Sequence, residues 1–134
     1  MIAIENQVFT QIANAFLAAY PSGYITPEYV GQPSKFPAVY ISELDNRVML
    51  GGRDSGAVEN FAEVMYQVDV FSNRSDGKKE QCKAIAKLVD EQFALLGFTR
   101  TFLNPVPNAD DATIYRMTGR YRAVVSKDEL IFRS

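Results

Sequence analysis

Two long stretches of this chain alternate apolar and polar residues with a period of two. That pattern constrains the fold more than anything else in the sequence. In "YRMTGRYRAVVS", residues 115–126, one parity holds Tyr115, Met117, Gly119, Tyr121, Ala123 and Val125. The other holds Arg116, Thr118, Arg120, Arg122, Val124 and Ser126. In "EVMYQVDVFSN", residues 63–73, Val64, Tyr66, Val68 and Val70 share one parity, and Met65, Gln67, Asp69 and Phe71 the other. Successive side chains of a strand point to opposite faces, so each stretch predicts a strand with one apolar face. A sheet built from them must be covered on that face only.

Helical spacing supplies the cover. Over residues 2–19, Ile4, Val8, Ile12, Ala15 and Ala19 recur at intervals of three and four, and Phe9 and Phe16 widen the stripe. Over about 77–96, Cys82, Ile85, Ala86, Val89, Phe93 and Leu96 form a second stripe. Ser75 or Asp76 is the expected N-cap, and Gly97 falls where a left-handed residue ends a helix.

Between these landmarks, "YPSGYITPEYVGQPSKFP" reads as loop with a short extended piece. "AVYISEL", 38–44, reads as a strand entered through Pro37. "DNRVMLGGRDSGAVENF", 45–61, reads as a long flexible loop or mobile hairpin. "FTRTFL", 98–103, is another strand, "NPVPNADD" a turn, and "ELIFRS" a possible last short strand. Strands joined by short turns favour antiparallel pairing. The expected fold is α+β, a two-layer sandwich: a mostly antiparallel or mixed sheet with two main helices packed on it. The length of 134 residues suits a single domain, 1–134, and no internal repeat is visible.

Composition narrows the chemistry. Histidine is absent, which removes the commonest general base and the usual serine and cysteine catalytic pairs. Cys82 is the lone cysteine, so no intramolecular disulfide forms, and its place in an apolar stripe predicts a buried structural thiol. "GGRDSG", 51–56, lacks the lysine and hydroxyl residue of a phosphate loop. Asp110 and Asp111, with Asp128 and Glu129, lack the alternating spacing of a calcium loop and read as solvated turns. The expectation is no enzyme, no cofactor and no metal. The N-terminus lacks a basic region and no membrane span is visible, so an intracellular soluble protein is expected.

The arginines are what needs explaining. The formal net charge is -2, with 14 lysines and arginines, yet three arginines crowd one strand face. They could hold nucleic acid, pair with carboxylates inside the fold, or face another subunit. Asp69 can pair with Arg120 or Arg122 if the two alternating strands are neighbours. One carboxylate cannot satisfy three guanidiniums, and Arg100 adds a fourth expected on the same face. With Val124 and Phe71 interleaved, the face suits an acidic protein surface. The acidic balance of the chain favours that partner over DNA.

The order "FPAVYISELDN", "YQVDVFSN", "KAIAKLVDEQFALLGFTRT", "DATIYRMTGRYRAVV" resembles the tail terminator proteins (tail completion, head-tail joining) of long-tailed bacteriophages and prophages. The resemblance covers roughly residues 36–125. It implies a structural virion protein at the tail-head junction, present in the host cytoplasm during assembly. Such proteins form a ring, commonly hexameric, that caps the tail tube and joins it to the head connector. DNA passes through the lumen without sequence-specific binding. Relatives of similar size serve as neck or minor tail proteins, and a small nucleic-acid-binding module remains the alternative. The resemblance also suggests that loop 45–61, with Arg47, Arg53 and Asp54, reaches the lumen or a neighbour. Arg100, Arg116, Arg120, Arg122 and Asp69 then lie near a subunit or partner interface.

Overall fold

A computed structural model describes residues 2–28, 33–48, 61–107, 113–126 and 131. The elements are α1 (Glu5–Ala19), β1 (Tyr24–Thr26), β2 (Ala38–Val48), β3 (Phe61–Ser72), α2 (Lys78–Leu96), β4 (Thr99–Pro105) and β5 (Tyr115–Ser126). The strands form one sheet in the order β1-β2-β3-β5-β4. β1 runs parallel to β2 and every other pairing is antiparallel, so the sheet is mixed. Both helices pack on the same face, giving the expected α+β two-layer arrangement.

The core follows the period-two pattern. Ala62, Val64, Tyr66, Val68 and Val70 of β3 are all buried, as are Met117, Tyr121, Ala123 and Val125 of β5. Over them α1 lays Val8, Ile12 and Phe16, and α2 lays Cys82, Ile85, Ala86, Val89, Phe93 and Leu96. Phe93 stacks on Tyr121 with ring centroids 4.2 Å apart, and Phe98 meets Phe93 edge-on at 5.1 Å. Gly119 leaves the space this needs: a Cβ there would lie 3.0 Å from Leu103 and 3.2 Å from the Tyr121 ring. A smaller cluster of Ala38, Tyr40, Phe71 and Ile114 closes one end of the opposite face.

Boundaries shift in physical ways. α1 starts at Glu5, not at residue 2, because Ile4 has φ -124 and serves as the cap. α2 is capped by Gly77, not by Ser75 or Asp76: its φ of 79 lies in the left-handed region, and no side chain caps the helix. Ser72 meanwhile donates to Gln81 at 2.5 Å. Gly97 ends α2 at φ 96, as expected, with Phe98 N–H reaching the Phe93 carbonyl. The segment expected as loop from 45 to 61 begins as strand. Asp45–Val48 pair with Met65–Ala62, and Phe61 pairs with Ser126. Residues 49–60 of that loop lie outside the described residues. Of the expected last strand, Ile131 bridges Val125.

Candidate interaction surface

The sheet face without helices is laid out in transverse rows set by the strand register. One row runs Ser42, Gln67, Arg120, Phe102; the next runs Asp45, Met65, Arg122, Thr99. Below them Arg47 and Glu63 face each other beside Val124, and above them stand Tyr40, Asp69, Thr118 and Asn104.

Asp69 is the fixed point. Its side chain is 6% exposed. One oxygen accepts from Arg116 Nη2 at 2.8 Å, Arg116 Nε at 3.1 Å and Thr118 Oγ1 at 2.6 Å. The other accepts from Gln67 Nε2 at 3.1 Å. The partner is therefore Arg116, not Arg120 or Arg122. The register sets Asp69 opposite Thr118 and Arg116 opposite Phe71, so Arg116 reaches Asp69 on the diagonal, and its guanidinium lies over the buried Phe71 ring at 5.5 Å. Phe71 is thus core, not an exposed apolar contact.

Arg122 Nη1 pairs with Glu63 Oε2 at 2.7 Å, and Arg47 takes the other oxygen of the same carboxylate. Arg120 differs from all of these. Its Nε donates to the neutral Gln67 oxygen at 3.1 Å, and its guanidinium lies over Phe102 at 5.4 Å. Among the described residues no carboxylate lies within ion-pair distance of it.

Arg100 is on the other side of the sheet. A bulge between Arg100 and Phe102 changes the register of β4, so Arg100 stands opposite Tyr121 and reaches Asp90 of α2 at 3.3 Å. Alternation counted from Phe102 cannot see that bulge. Arg53, Asp54 and the acidic turns at 110–111 and 128–129 lie outside the described residues. Sequence reasoning missed Glu63, whose parity with Asp69 was the available signal. It also missed Phe102 and Leu44, which only the two bulges turn outward or bring beside an arginine.

The titratable groups of the core resist ionisation. Burial pushes the Cys82 thiol up to about 12, against a smaller downward pull from a backbone hydrogen bond of Met117, and the thiol donates to the Val70 carbonyl at 3.2 Å. Burial, and then donation to Glu43 at 2.6 Å, raises the Tyr66 phenol; burial and donation to Asp90 at 2.9 Å raise Tyr121. The unfolded chain ionises these groups at their ordinary 9.0 and 10.0, while the folded chain keeps its protons. The stability they contribute is full below pH 9 and is lost progressively as pH rises, the thiol's share being exhausted near 12. The melting temperature is expected to drop between pH 8.5 and 10.5, and native Cys82 to stay unreactive to a thiol reagent at pH 8. A flat melting temperature across that range would contradict this.

No protein-family model and no curated protein matches the chain. A solved structure does. A chain of the virion of a native gene transfer agent (GTA) particle superposes with a TM-score of 0.61 at 18% identity. The match covers 92% of this chain and 95% of that chain, so the two share the fold from end to end.

Proposed function

We propose that this chain is a structural, non-enzymatic protein of a phage-like virion, and within it the tail terminator. In that role it forms a ring at the head-proximal end of the tail tube and joins the tube to the head connector. The observation carrying this reading is the end-to-end fold likeness to a chain of a gene transfer agent virion. The bare sheet face supports it, since half-buried apolar residues and ordered arginines suit a protein interface. Ring closure needs a heterologous contact whose rotation divides the circle. DNA would pass through the lumen without being read.

The test is the solution mass by light scattering, with electron microscopy of the same sample, followed by binding to tail-tube and connector proteins. Closed rings, or capture by either protein, are the expected results. A chain that neither closes rings nor binds those proteins would overturn the reading. Neck and minor tail roles differ in which protein is captured. A nucleic-acid module is the weaker reading, because Arg47, Arg116 and Arg122 already face carboxylates. It requires DNA affinity that falls steeply with salt.

A further inference from the structure

Two unmet features lie on opposite flanks of the sheet. On the β5–β4 flank, Arg120 is exposed and held in place by Gln67 and Phe102, yet it lacks a carboxylate among the described residues. A guanidinium stacked and fixed at Nε keeps its terminal nitrogens available for a planar acceptor. On the other flank, β1 covers only Ala38–Tyr40 of β2. Among the described residues no strand pairs the outer edge of β2 from Ile41 to Val48. The register of that edge breaks between Glu43 and Asp45. Leu44, at the break, is 44% exposed. Asp45 beside it is exposed, with no ion-pair partner among the described residues. The bulge thus presents an apolar knob next to a carboxylate that is unpaired among the described residues. The opposite flank presents an aromatic ring under a guanidinium that lacks a carboxylate among them.

We propose that these are the two halves of one contact between copies of this chain. The Glu43–Leu44–Asp45 bulge of one copy docks on Arg120 and Phe102 of the next. This deepens the ring reading above and rests on it. The occupant is a second copy because both unmet halves belong to the same molecule, with complementary charge and complementary apolar surface. Taken head-to-tail, as the ring reading requires, the contact leaves each copy one free half until a ring closes. Both halves are already ordered within a strand, so little freedom is lost on docking.

The experiment uses the full chain, with mass measured by light scattering over a wide concentration range. Arg120→Glu and Asp45→Arg should each weaken self-association about tenfold or more, with unchanged melting temperature, since both positions are exposed. An equimolar mixture of the two variants should assemble again: each Glu at 120 then meets an Arg at 45, and each native Arg120 meets a native Asp45. Arg120→Ala and Asp45→Ala repeat the test if a charge reversal fails to fold. Single variants that assemble like the parent, or a mixture that stays dissociated, would overturn the contact while leaving the ring standing. A parent chain that is monomeric at every concentration would overturn the contact, and the ring reading would then stand or fall on capture by a tail-tube or connector protein. DNA or an acidic tube protein as the true occupant of Arg120 would show as binding lost in Arg120→Glu but kept in Asp45→Arg.

Discussion

Val68→Asp is expected to destabilise the fold severely. Val68 is 3% exposed on the central strand β3, between Ile41 of β2 and Gly119 of β5, with the helices above it. Val68 lies within a cluster of buried apolar side chains, so the charge would be buried unpaired or the chain would open. About 4 kcal/mol or more is at stake, against a typical total of about 5–15 kcal/mol for a domain. The control is three residues away. Met65→Asp sits on the opposite face, half-buried between Arg122 on one side and Asp45 on the other, whose opposite charges offset, and should cost under about 1 kcal/mol. Far-ultraviolet circular dichroism and urea titration of the two variants give the answer. If Val68→Asp melts like the parent, or if Met65→Asp is the worse of the pair, the core face has been assigned the wrong way round.

That contrast also marks what periodicity can carry. The alternation of residues 64–70 and 115–125 specified which side of each strand meets the helices, because a one-residue slip would expose every valine. The helical stripes specified their cover, and Gly97 its end. Strand order was less legible. The pairing of β3 with β5, 53 residues apart in sequence for Gln67 and Arg120, depends on tertiary packing. The parallel placement of the three-residue β1 depends on the same packing. The extra strand length from Asp45 to Val48 was hidden by polar composition: Asp45, Asn46 and Arg47 are poor strand formers alone, and cross-strand partners hold them.

The site was legible in kind and not in wiring. Three arginines on one parity do lie on one open face. Which carboxylate serves which arginine is a matter of register: Asp69 stands opposite Thr118, with Arg116 and Arg120 each two residues to either side, and it is Arg116 that reaches it. Bulges are harder still. One turns Arg100 to the helix side, and the other displaces Leu44, each by a single residue that no local composition announces.

Asp69→Ala carries the second large effect, and it separates structural arginine pairing from the surface kind. In the parent, one buried carboxylate holds the 22% exposed Arg116 side chain, the buried Thr118 hydroxyl and the Gln67 amide together. Removing it leaves a largely buried guanidinium and a buried hydroxyl without acceptors, at a cost of about 3–5 kcal/mol. Asp69→Asn keeps an acceptor oxygen but not the charge, and should recover about half of that loss. Glu63→Gln is the counterexample. It breaks the contacts with Arg47 and Arg122, whose side chains are 64% and 49% exposed, and should cost under about 1 kcal/mol because water replaces the lost partner. Urea unfolding of the three variants, together with Arg116→Ala and the Asp69→Ala/Arg116→Ala double variant, measures the coupling directly. A coupling near zero would mean that Asp69 contributes through shape alone. A large one would show that part of the arginine face is built to hold the sheet together. Arg120, joined to that network only through the neutral Gln67 amide, would then be the open-face arginine without a carboxylate among the described residues.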